Sequence, residues 1–166
     1  MTSQKSMNRD VPPQLSSGIH QKLEEIRHAS LYATRFYGSR LCLRLDYPLR
    51  HCFHNLKKLH GNLKNVLSIE LGKGHPRQQG KNRNPDSEAA EIALRYQSLS
   101  LLTPYPGPDL IDYVVATEHR QKRLQTGLLE ELDDAPLKIA ISAQTAMLQV
   151  TIDRMSTLIK RESHQK

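Results

Sequence analysis

The sequence predicts an all-α protein, a bundle of four to five helices with a disordered N-terminal arm and one long basic loop. Three observations point there. Apolar residues recur every three or four positions along most of the chain, the period of a helix face. Large β-formers are scarce, with no Trp and two Phe in 166 residues, so Leu, Ile, Val and Ala must build the core. Prolines and glycines at 48, 72–85, 103–109 and 136 then cut the chain into helix-length pieces. The hydrophobic share, 37%, allows a core but a thin one.

Residues 1–17 are polar and carry Pro12 and Pro13, which reads as a disordered arm ahead of a single helical domain, 18–166. Ser16 or Ser17 suits the cap of a first helix. Its face is Ile19, Leu23, Ile26, Ala29, Ala33, Phe36 or Tyr37, and Leu41. The pattern predicts one helix fraying near Asp46, because Pro48 disfavours helix at Tyr47. Leu41, Leu43 and Leu45 alternate with polar residues, so a short strand over 41–45 is the competing assignment. A second helix, from Pro48 or Arg50 to Leu71, carries Leu56, Leu59, Leu63, Val66 and Leu67 inward and its lysines outward.

The loop GKGHPRQQGKNRNP, residues 72–85, has four cations, no acid and no apolar residue. Asp86 is placed to cap a third helix, about 87–102, with Ile92, Tyr96, Leu99 and Leu102 inward. Asp109 is placed to cap a fourth, about 109–132. Its apolar face is Ile111, Val114 and Val115, then Leu124, Leu128, Leu129 and Leu132. The polar interval 117–123 predicts a helix exposed in its middle or broken near Gly127. The last helix, about 136–161, has Ile141, Leu148, Ile152, Met155 and Ile159 on its face. Ile139, Ala143, Ala146 and Val150 widen that stripe and predict a helix buried on both flanks.

Charge is the feature that bears on function. The net charge is +7, and it is lopsided. Residues 1–80 hold 13 Lys/Arg and 5 Asp/Glu, whereas residues 81–166 hold 11 and 12. The excess concentrates in the stretch 35–64, where Arg35, Arg40, Arg44, Arg50, Lys57, Lys58 and Lys64 face one acid, Asp46. Such a surface fits a phosphate backbone, because cations that neutralise phosphates release condensed counterions. The loop cations Lys73, Arg77, Lys81 and Arg83 would extend it. Phe36, Tyr37 and Phe53 are expected in the core, which is short of bulk, rather than as stacking platforms.

Other chemistry is weakly marked. Cys42 and Cys52 make no disulfide framework, and with His51, His54 and His60 they match no zinc spacing, so no metal or other cofactor is expected. A reducing, cytoplasmic setting follows from the cysteine count and from the lack of an apolar leader or span. Glu118 and His119 adjoin, but neighbours on a helix point apart. The loop 72–81 lacks the lysine-serine ending of a nucleotide-binding loop. Arg44 and His51 partly resemble the Arg–His pair of HEPN-type ribonucleases, which implies His51 as acid/base and Arg44 on the phosphate. Here Leu45 stands where that family has a polar residue, and Pro48 interrupts the helix.

The expected function is non-catalytic binding of RNA or DNA through the basic half, as a small subunit or accessory of a larger nucleoprotein assembly. Two alternatives accompany it. One is a protein-interaction module using the apolar last helix. The other is the small ribonuclease just described.

Overall fold

The computed structural model describes residues 15–73, 84–102 and 107–163, and among these it is all-helical. The elements are α1 (Ser17–Tyr37), a 3-10 turn (Arg40–Arg44), α2 (Tyr47–Gly72), α3 (Glu88–Leu102), α4 (Pro108–Glu131) and α5 (Ala135–Ser163). The expected arm, up to residue 14, and the expected basic loop over 74–83 lie outside the described residues. No helix among the described residues is long and apolar enough to cross a membrane.

Successive helices run in opposite directions. Lys57 of α2 lies against Gly38, and Gly61 lies against Thr34, so α1 and α2 form an antiparallel hairpin. In the second hairpin, α4 and α5, Thr145 Oγ1 donates to Gln125 Oε1 at 2.8 Å and Lys122 bonds Gln149. α1 lies against α4 through Lys22–Glu131, Ser30–Gln121 and Tyr37–Glu118. α3 covers the α1–α4 side, and α5 covers α2.

Four helices carry heptad-like inward rows. They are Leu23, Ile26, Ser30, Ala33 and Tyr37 on α1; Leu49, Phe53, Leu56, His60, Leu63 and Leu67 on α2; Ile111, Val114, Glu118, Gln121, Gln125, Leu128 and Leu132 on α4; and Leu137, Ile141, Leu148, Ile152 and Met155 on α5. Two apolar clusters result. The larger gathers Phe36, Phe53, Tyr96, Val114 and Ile152. The smaller, at the other end, gathers Leu23, Leu67, Leu128, Leu137 and Ile141.

Several expectations are corrected. The first helix does not run to Asp46. It stops at Tyr37 because Gly38 ends it, its N–H reaching back to Thr34 and Arg35, and the chain tightens into the 3-10 turn. No strand forms over 41–45. Ser16 is the α1 cap, its Oγ accepting from Ile19 N–H. Ser87, not Asp86, caps α3, accepting from Ala90 N–H at 3.1 Å. Asp109 lies inside the first turn of α4, after Gly107 and Pro108, where its charge suits the helix dipole. Asp134 caps α5, accepting from Leu137 N–H at 2.7 Å.

α4 is neither broken nor exposed in its middle. Thr117, Glu118, Gln121 and Gln125 are buried, and the helix runs through Gly127 without a kink residue of its own. A Cβ at Gly127 would meet nothing within 4 Å. Gly127→Ala is therefore expected to stabilise the protein by about 1 kcal/mol through helix propensity, read as a raised thermal midpoint. On α5, Ile139, Ala143, Ala146 and Val150 do not widen a buried face; they are exposed.

Candidate functional site

The basic residues of the 35–64 stretch gather at one end of the bundle and along one row of α2. Arg35 closes α1, Arg40 and Arg44 sit on the 3-10 turn, and Arg50 opens α2; all four are exposed. Arg50, Lys57 and Lys64 stand seven residues apart, two helical turns each, so they form a row about 21 Å long. Lys57 and Lys58 are exposed and Lys64 is half-buried. The row adjoins the end of α1, since Lys57 Nζ lies 3.3 Å from the place a Gly38 Cβ would take. Arg154 of α5 adds positive charge near Cys52, beside the same end.

Six of these cations lack an acidic partner among the described residues, as do Lys122, Lys138, Arg154, Lys160 and Arg161 on α4 and α5. Among the described residues, ion pairs engage Lys22, Arg27, Lys73, Arg95, Arg120 and Arg123. None engages Arg35, Arg40, Arg50, Lys57, Lys58 or Lys64. Arg35 lies over the Tyr32 ring, 5.5 Å from its centroid. Arg50 also has a structural task, donating to the carbonyls of Leu43 at 3.3 Å and Leu45 at 2.8 Å, which pins the 3-10 turn to α2.

The other expected residues divide. Lys73 lies at the opposite end of α2 and donates to the Glu70 carboxylate at 2.8 Å. Arg77, Lys81 and Arg83 lie outside the described residues. Of the alternative ribonuclease pair, Arg44 and His51 are both exposed, and His51 stacks on Tyr47 at 6.5 Å between centroids. Phe36, Tyr37 and Phe53 are buried, whereas Tyr47 is exposed. Cys42 and Cys52 are buried free thiols, and burial pushes both above the ordinary thiol range. Cys42 Sγ donates to the Tyr37 carbonyl at 3.2 Å. Among the described residues no three His, Cys, Asp or Glu side chains converge as metal ligands.

Sequence reasoning missed a second centre, inside the bundle. Glu118 is fully buried and accepts from three donors brought by three other helices: Tyr37 OH from α1, His60 Nε2 from α2 at 3.0 Å, and Tyr96 OH from α3. Its partner is His60, not the adjacent His119. The Tyr37 and His60 rings stack at 5.9 Å, with 12° between their planes. Next along α4, Gln121 Nε2 donates to Ser30 Oγ at 3.2 Å. His60 Nδ1 and Gln121 Oε1 have no hydrogen-bond partner.

Burial works against a charge on Glu118, but the His60 charge and the donated hydrogen bonds outweigh it and hold the carboxyl below the ordinary glutamate range. Burial, followed by the Glu118 charge, pushes Tyr37 and Tyr96 well above the ordinary phenol range. A raised phenol stabilises the fold below its ordinary pKa of 10.0, and that contribution is lost as pH climbs above it. An alkaline titration followed by tyrosinate absorbance and by the helical signal tests this. Tyr37 and Tyr96 should ionise only together with loss of the helical signal. Ionisation of every tyrosine in one step, with helicity intact, would contradict the buried centre.

Comparison of the chain with known protein families, with curated proteins and with solved structures finds no match.

Proposed function

We propose that the protein binds the phosphate backbone of RNA or DNA, without catalysis, through Arg35, Arg40, Arg44, the Arg50–Lys57–Lys64 row and Lys58. One observation carries the reading. Arg35, Arg40, Arg50, Lys57, Lys58 and Lys64 fall within one stretch of 30 residues and form no ion pair among the described residues, whereas Lys22, Arg27, Lys73, Arg95, Arg120 and Arg123 are taken up by acids. Exposed like charges held together repel one another, and a polyanion relieves that repulsion while releasing its own counterions. Phe36, Tyr37 and Phe53 are in the core and Tyr47 is exposed beside the cations, so the contact is mainly to phosphate.

The test is the ultraviolet absorbance ratio of protein purified at low salt, before and after a high-salt wash. Co-purifying nucleic acid that the wash removes supports the reading. Clean protein that also fails to shift labelled RNA or DNA at low salt refutes it.

A further inference from the structure

The face of α5 turned away from the bundle is apolar and bare. Ile139, Met147 and Val150 are 70%, 55% and 61% exposed. Ala143 and Ala146 between them are exposed too. Ile139, Ala143, Ala146 and Val150 follow a 4–3–4 spacing, the seam of a coiled coil, over about 16 Å of helix. The same face continues into exposed Arg154 and Arg161.

The geometry points to a second copy of this chain, packed antiparallel along α5, as the occupant of that stripe. Two features single out a second copy. First, the stripe complements itself when reversed. A two-fold axis between residues 144 and 145 sets Ile139 against Val150 of the other copy, and Ala143 against its Ala146. Large side chains meet at the two ends and small ones at the centre, where the helix axes can approach closely.

Second, the bundle ends carry opposite charge. The turn from α4 to α5 holds Glu130, Glu131, Asp133 and Asp134 in five residues; Glu131 pairs with Lys22, which leaves Glu130, Asp133 and Asp134 without an ion pair among the described residues. The opposite end carries Arg35, Arg40, Arg44 and Arg50, with Arg154, Lys160 and Arg161 on α5 itself. An antiparallel pair sets each acidic turn beside the basic final turns of its neighbour, twice over. A parallel pair would set like against like. The pairing uses none of the cations of the Arg50–Lys57–Lys64 row.

Analytical ultracentrifugation over a wide concentration range tests it. The mass is expected to climb from the 18.9 kDa of one chain toward twice that. Val150→Glu should hold the single-chain mass with unchanged helicity, since Val150 supports nothing within its own bundle. Orientation is read by disulfide trapping, because Cys42 and Cys52 are buried. Ile139→Cys mixed with Val150→Cys should crosslink. Ile139→Cys alone should not, its thiols standing about 16 Å apart along the helix. A single-chain mass at every concentration overturns the pairing, and so does Ile139→Cys crosslinking to itself as readily as to Val150→Cys.

Discussion

Glu118→Ala is expected to destabilise the protein by about 3–5 kcal/mol, a large part of the stability of a domain this size. The cause is less the loss of the carboxylate than what it leaves behind. Tyr37 OH, Tyr96 OH and His60 Nε2 would remain buried with no acceptor. In thermal melts the drop should be on the order of 10 °C. A variant that removes all the polar partners together, Glu118→Leu with Tyr37→Phe, Tyr96→Phe and His60→Leu, should be more stable than Glu118→Ala alone. If it is less stable, unpaired donors are not the cause. Because the folded Glu118 carboxyl is held below its ordinary value of 4.5, its contribution is present above that pH and is lost as pH falls beneath it. Acid unfolding of the wild type should carry this component, and the apolar variant should lack it.

Replacing Lys57, Lys58 and Lys64 together by glutamine is expected to weaken oligonucleotide binding at low salt by about ten- to hundredfold. Each cation–phosphate contact in water contributes up to about 1 kcal/mol, and three are removed. Lys57 and Lys58 are exposed and Lys64 only half-buried, so helicity should be retained. The matched control removes the same charge where acids already compensate it: Lys22, Arg27 and Arg123 to glutamine. If only net charge mattered, both triples would weaken binding equally. The account predicts that the control changes affinity by less than about twofold.

Much of the fold is legible in the sequence, because heptad-like rows survive reading by eye. The row on α2 is apolar except for His60; the spacing finds its Leu56, Leu63 and Leu67, while Leu59 and Val66 are only half-buried and Leu49 and Phe53 extend the row toward the helix start. The row on α4 was lost in the interval 117–123, where a polar run suggests solvent. The spacing itself never falters: Ile111, Val114, Glu118, Gln121, Gln125, Leu128 and Leu132 keep the 3–4 rhythm throughout. Position rather than polarity was the sound guide there. The partners of Glu118 were beyond reach, since they lie 22, 58 and 81 residues away and come from three different helices. The opposite error occurred on α5, where Ile139 and Val150 are apolar but outside. Hydrophobic pattern says that a face wants covering, and on α5 the rest of the bundle does not reach far enough round to cover it. The break at Gly38 is hard to read from the sequence, because Leu41 keeps the helical spacing beyond it. Arg35, Arg40, Arg50, Lys57, Lys58 and Lys64 lie in a stretch with a single acid, and among the described residues no ion pair engages them.

The most direct test of the central claim is the salt dependence of binding to a labelled single-stranded oligonucleotide, for wild type and for the Lys57/Lys58/Lys64 variant. The account predicts a linear fall of log affinity with log salt, with a slope of about −0.7 for each phosphate neutralised. The variant should be shallower by about 2 in that slope. Absence of binding at low salt, or a variant with the wild-type slope, would contradict it.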